Sequence, residues 1–239
     1  MLDKYSVENI LFFDIETVPL CQNYELLNPE MQILWDKKST YFRKENQNPA
    51  DVYEKAGIYA EFGKIICISA GFVINKNNER FFRIKSFYGD DEVKILKEFG
   101  NVLTTFCNTT EKNICGHNIK EFDVPYIARR MLINSLPLPS VLKIAGKKPW
   151  EVNILDTLEL WKFGDYKNYT SLALLTAIMG IPSPKDDIDG SKVAEVYYQE
   201  KNIDRIVTYC EKDVFATTQL FLRFKGEKLI KQENVVKAE

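Results

Sequence analysis

The order in which β-forming runs and helix-spaced stretches follow one another constrains this 239-residue chain more than any other feature. Residues 10–15, 64–73, 80–88, 114–115 and 152–155 are short apolar runs, and 10–15 reads as a strand covered on both faces. The turn residues Asn75-Lys76-Asn77-Asn78 join the second and third runs and predict a hairpin. Residues 92–108, 124–133, 171–179, 191–198 and 203–224 carry helical spacing, with Pro125 tolerated in the first turn of the second. Strand, strand, strand, helix, strand, helix, strand, helices predicts an α/β domain: a mixed sheet with an antiparallel hairpin first and parallel crossovers after it. Residues 1–226 are expected to form one domain. The stretch 19–63, with Trp35, Tyr41, Phe42, Arg43 and Lys44, is long for a connection and predicts a helical insert or flap. Residues 227–239 read as a polar, frayed tail.

Composition narrows the chemistry. There is one histidine, His117, so zinc sites built on several histidines cannot form within the chain, and Ser-His-Asp chemistry would have to run through that residue alone. There are 34 acids against 32 Lys and Arg, for a net charge of −2, which points to carboxylate chemistry with hard cations and away from general polyanion binding. Five cysteines without a C-x-x-C pair read as free thiols in a reducing compartment. The N-terminus lacks the pattern of a signal peptide, and the apolar run 65–74 is too short for a membrane span of ~20 residues, so a cytoplasmic protein without a membrane partner is expected. No G-x-G-x-x-G or Walker A pattern occurs, which argues against a dinucleotide or nucleoside-triphosphate enzyme.

Carboxylates stand out in three places. Asp14 and Glu16 lie two apart on the first strand and face one side. The pattern is not specific, since it recurs at Asp90-Asp91-Glu92, and a solvated strand end is the alternative. Asp123 directly precedes a helix in Gly116-His117-Asn118-Ile119-Lys120-Glu121-Phe122-Asp123, where an N-cap is the alternative and Asn118 suits a turn. Tyr209 and Asp213 share a helical face. Asp213 falls on the apolar stripe, where a carboxylate is costly without a partner; a buried ion pair is its alternative, and a core aromatic role that of Tyr209. Asp156, at the end of a candidate strand, reads as a structural acid.

Together these segments resemble the DEDD family of 3′→5′ exonucleases, tyrosine branch, which share the ribonuclease-H-like fold. Its Asp-x-Glu motif matches Asp14 and Glu16, its Asn-x-x-x-Phe/Tyr-Asp motif matches Asn118, Phe122 and Asp123, and its Tyr-x-x-x-Asp motif matches Tyr209 and Asp213, a spacing found once among twelve tyrosines. Thr170-Ser171-Leu172 is similar to the single-strand contact motif of family-B DNA polymerase exonuclease domains; a helix N-cap is its alternative. The resemblance implies hydrolysis from the 3′ end of single-stranded or frayed DNA by two divalent ions, Mg²⁺ or Mn²⁺. Asp14, Glu16 and Asp213 are then ligands of one ion, with Asp14 bridging to a second that Asp123 holds. It also implies that Tyr209 orients the attacking water and that Thr17, Asn118, Phe122, Ser171 and Leu172 contact the strand. Some relatives also carry a functional lysine ahead of the third motif, for which Lys185 and Lys192 are the alternatives. The alternatives are RNA trimming and a non-catalytic scaffold of the same fold; a polymerase or repair partner is not specified by the residues.

Overall fold

The computed structural model describes residues 2–165, 167, 169–182 and 188–238; Lys185 lies outside them. Among the described residues, six strands form one mixed sheet: β1 (Ile10–Pro19), β2 (Gly63–Lys76), β3 (Glu79–Tyr88), β4 (Asn113–Gly116), β5 (Ile154–Asp156) and β6 (Val235–Lys237), ordered β5-β4-β1-β2-β3-β6. β1, β2 and β3 pair antiparallel, β4 and β5 run parallel to β1, and β6 runs parallel to β3. The hairpin closes where the asparagines lie: Asn77 and Asn78 take φ of 53° and 63°, the left-handed conformation that a two-residue hairpin loop requires.

The described helices are α1 (Pro29–Ser39), α2 (Glu92–Phe106), α3 (Asp123–Ile133), α4 (Thr157–Lys162), α5 (Leu172–Ile178), α6 (Val193–Glu195), which runs into a π-turn at Val196–Glu200, and α7 (Ile203–Lys225). Alternation along β1 decides what each layer covers. Leu11, Phe13 and Ile15 enter the core under α2 and α3, where Phe13 meets Phe99 edge-on at 5.1 Å. Ile10 and Phe12 enter the opposite core, where Phe12 meets Phe221 of α7 at 5.6 Å. Burying each such ring stabilises the fold by about 1.5–3 kcal/mol. Asp14 and Glu16 continue the Ile10/Phe12 series, so the strand that builds both cores delivers its two acids to the α7 side. This mixed sheet flanked by helices is the ribonuclease-H-like arrangement implied by the sequence.

The 19–63 insert has its own aromatic core. Trp35 of α1 is fully buried, meets Phe42, Tyr53, Tyr59 and Phe62 edge-on, and donates from Nε1 to Pro49 O at 2.9 Å. A 3-10 segment, Ala50–Ile58, carries the insert back to β1. The two join closely: a side chain at Gly63 would meet the Tyr126 hydroxyl at 2.3 Å and Gly57 O at 2.8 Å.

The C-terminal segment differs from the frayed tail read from its polarity. Gln219 of α7, buried, donates to Ile230 O at 2.7 Å and accepts from Ile230 N at 2.9 Å. Asn234 donates to Arg80 O at 3.0 Å, and Val235–Lys237 then pairs with β3. Polar side chains fix the segment while Ile230 enters the α7-side core and Leu229 and Val235 pack against it, too few apolar residues for hydropathy to reveal it. Among the described residues, no helix is long and apolar enough to cross a membrane.

Candidate active site

β1 pairs with β4 only as far as Phe12 opposite Cys115, yet it runs on to Pro19. Beyond that point the strands part at their carboxyl ends, where open α/β sheets form crevices. A cleft of about 720 Å³ opens there, lined by Asp14, Glu16, Thr17, Asn118, Phe122, Asp123, Tyr209 and Asp213. Three segments far apart in sequence therefore meet in one place.

The acids are held at short range. Glu16 and Asp123 are buried and Asp14 is half-buried. Asp123 stands at the first position of α3, with Phe122 before it as the N-cap, and its Oδ1 accepts the Ile15 amide at 3.1 Å. That amide belongs to the part of β1 left open by β4, so the carboxylate is fixed against the strand bearing the other two acids. Behind them, the Cys210 thiol donates to Asp14 O at 3.4 Å and Asp14 Oδ2 at 3.5 Å. Oxygens of Asp14 and Glu16 and the sulfur of Cys210 all lie within 4.8 Å of one another. Among the described residues, no lysine or arginine forms an ion pair with Asp14, Glu16 or Asp123.

The electrostatic consequence follows. Burial pushes the Asp14 carboxyl well above the usual range, and the Asp123 and Asp213 charges push it further. Burial and Asp14 do the same to Glu16. Burial raises Asp123 to about 7, partly opposed by its backbone hydrogen bonds. Burial, together with the Asp213, Glu16 and Asp14 charges, drives the Tyr209 phenol upward. The hydroxyl thus stays protonated and donates.

Asp156 is the structural acid its position implied. One oxygen accepts from Asn118 N at 3.0 Å and Leu158 N at 2.9 Å, and the other from Lys120 N at 3.0 Å. It caps α4 and at once fixes the loop in which Asn118 takes φ 62°. Thr17 lines the cleft, and Tyr126 donates to Gly57 O at 2.8 Å. Phe122 lines the cleft while its ring packs against Tyr126 at 5.4 Å. His117 is the neutral tie of the site. Its Nε2 donates to Thr170 O at 3.0 Å and Nδ1 meets Thr157 Oγ1 at 2.9 Å, and burial lowers its pKa.

Ser171 and Leu172 are not part of the lining. Ser171 Oγ caps α5 by accepting Leu174 N at 3.3 Å, and Leu172 packs beside Leu175 and Leu220. Tyr169, two residues earlier, lines the cleft instead. The insert contributes a wall with Lys55, Gly57 and Ile58, and Lys192 lines another side. Sequence reasoning missed Tyr169 and Cys210. The first carried only its place beside the Thr170-Ser171-Leu172 match as a signal; the second was hidden in an apolar stripe.

Comparison with known proteins bears on this arrangement. Residues 58–235 match the model of a family described as predicted 3′-5′ exonuclease related to the exonuclease domain of PolB. The match includes Asn118, Phe122, Asp123, Tyr209 and Asp213; Asp14 and Glu16 precede it on the strand that pairs with β2 and β4. An uncharacterized protein of Methanocaldococcus jannaschii is 26% identical over 159 residues, covering 62% of this chain and 87% of that protein.

Proposed function

Because the chain belongs to the family of predicted 3′-5′ exonucleases related to the exonuclease domain of PolB, we propose that it removes nucleotides from the 3′ end of single-stranded or frayed DNA with the help of divalent cations. The observation that carries this reading is the convergence of Asp14, Glu16, Asp123, Tyr209 and Asp213 in one cleft. Buried like charges are costly, and their carboxyl oxygens are the hard donors that Mg²⁺ and Mn²⁺ prefer. The donor set fits such ions: Asp14, Glu16 and Asp213 would hold one, and Asp14 and Asp123 a second. Bound there, the two cations supply the charge that stabilises the attacking and leaving oxygens of an in-line displacement at phosphorus.

The residues of the chain do the rest. Tyr209, whose phenol burial and the neighbouring acids hold in its protonated form, orients the incoming water as a hydrogen-bond donor. Asp156 fixes the Asn118 loop so that Asn118 and Thr17 can meet the terminal nucleotide. Phe122, braced by Tyr126, offers an apolar surface at the same end. The product is a nucleoside 5′-monophosphate, and the shortened strand is left with a free 3′ hydroxyl.

The test is shortening of a 5′-labelled oligonucleotide from its 3′ end, with Mg²⁺ or Mn²⁺, on single-stranded, duplex and mismatched termini. Loss of shortening in Asp14→Ala and Asp213→Ala supports the reading; unchanged activity in either overturns it. Matched DNA and RNA strands in competition read the sugar preference.

A further inference from the structure

Tyr169 is 67% exposed and yet lines the cleft. The same lining holds Asp14, Glu16, Asp123, Tyr209 and Asp213, so the ring stands at the cleft that gathers the acids. Its backbone is tied down immediately afterwards, where Thr170 O accepts from His117 Nε2 at 3.0 Å and Ser171 caps α5. His117 is itself held through Nδ1 by Thr157, the first residue of α4. The other aromatic residues nearby are differently placed: Phe122 is packed on Tyr126, and Phe163, 77% exposed, is absent from the lining. A water-exposed ring presented from an anchored segment is suited to stacking. A platform that accepts any base is what processive removal of nucleotides needs, since every base has a π-face.

We infer that Tyr169 is a base-stacking platform for one of the two nucleobases flanking the scissile linkage, and that His117 is the positioning residue that presents it. The inference rests on the exonuclease reading above. It gives the lone histidine a task that needs no protonation: holding the Thr170 carbonyl so that the neighbouring ring faces the strand.

Kinetics on single-stranded oligonucleotides with the full chain test it. Tyr169→Ala should raise KM about tenfold, as loss of one stack predicts, with kcat within about twofold of the parent. Tyr169→Phe should match the parent, because stacking does not use the hydroxyl. The difference between parent and Tyr169→Ala should vanish on a strand with an abasic residue at one of the two terminal positions. His117→Ala should raise KM in the same direction and add nothing in the Tyr169→Ala background. An unchanged KM for Tyr169→Ala, a difference that persists on both abasic strands, or loss in Tyr169→Phe equal to that in Tyr169→Ala overturns the inference.

A binding readout separates this from the reaction itself. A 3′-terminal 2-aminopurine, titrated with protein in EDTA, should be quenched by the parent and by Tyr169→Phe and not by Tyr169→Ala. Quenching that depends on Tyr169 in a protein that shortens no strand sinks the exonuclease reading and leaves the stacking site. Normal shortening with quenching indifferent to Tyr169 sinks the stacking site alone.

Discussion

Asp-x-Glu occurs twice in this chain, at Asp14-Glu16 and at Asp90-Glu92, and the two copies are embedded in opposite ways. Glu92 begins α2 and is buried with every need met: it accepts from Ile65 N at 2.8 Å, from Arg130 Nε at 2.9 Å and Nη2 at 2.6 Å, and from Asn134 at 3.1 Å. Arg130 is satisfied in turn by Ala60 O at 2.8 Å. Asp90 accepts from Tyr197 at 2.5 Å, and Asp91 between them caps α2. The Asp14 copy is surrounded by further carboxylates and a thiol instead. A carboxylate buried to hold a fold together is given a cation and donors; one buried among its own kind has its charge left for something else to neutralise. The tripeptide is the same, so the surroundings assign the role.

Charge removal should separate the copies most sharply. Asp14→Asn is expected to cut strand shortening by about a thousandfold or more, since several kcal/mol of charge stabilisation goes with the ligand. The same change should raise the melting temperature of the metal-free protein by a few degrees, because it relieves like-charge repulsion worth about 1 kcal/mol. Glu92→Gln should do the reverse. It leaves Arg130 buried without its anion, costs about 3–5 kcal/mol and lowers the melting point by about 10 °C, while the folded fraction keeps its activity. If both variants shift stability in the same direction, the contrast is broken.

The next effect is on pH. Asp123 titrates near 7 when folded, against about 3.9 when unfolded, and Asp14 and Glu16 shift in the same direction. Between those values the folded state keeps protons that the unfolded chain has lost, so the stability these groups contribute falls as pH rises from about 4 through 7. Calorimetry in EDTA should therefore show higher melting at pH 5 than at pH 7.5. Saturating Mg²⁺ should stabilise most at the higher pH, where its ligands are ionised. A flat profile in EDTA contradicts the crowded cluster.

Asp156 offers an intermediate case, a buried acid that scaffolds the Asn118 loop from behind the cleft. Asp156→Ala should cost about 2–3 kcal/mol, from a lost cap and stranded amides, and lower turnover by about tenfold through the loosened Asn118 loop. Asp156→Asn, which keeps an acceptor, should recover most of both. A further contrast lies between two polar residues that line the cleft. Tyr209→Phe should slow turnover by about tenfold to a hundredfold, whereas His117→Ala should leave kcat at saturating substrate nearly intact. The reverse order counts against a tyrosine-oriented water.

What could be read from the sequence is what depends on local periodicity. β1 was visible as an apolar run, the Asn77-Asn78 turn as a hairpin and the Tyr209-Asp213 spacing as one helical face. Convergence of the three acid segments was legible only through their order, because no single spacing encodes a tertiary contact. The rest was hidden for identifiable reasons. The insert's lining of the cleft depends on how Ala50–Ile58 returns to β1, a matter of packing around Trp35. Cys210 looks like any small apolar residue until Asp14 is placed beside it. Tyr169 sits in a segment with no periodicity, and the bond from His117 to the next residue, Thr170, joins positions 53 apart in the chain.

The docked C-terminal strand has a consequence for how the molecule lives in a crowded solution. β3 is ten residues long and would be the outermost strand on its side of the sheet. Without Val235–Lys237 its outward amides and carbonyls would offer a template for strands of other chains. Held by Gln219 and Asn234, Val235–Lys237 cover Phe82–Ile84 in the middle of that edge, so residues outside the cleft leave a foreign strand only shorter stretches to pair with.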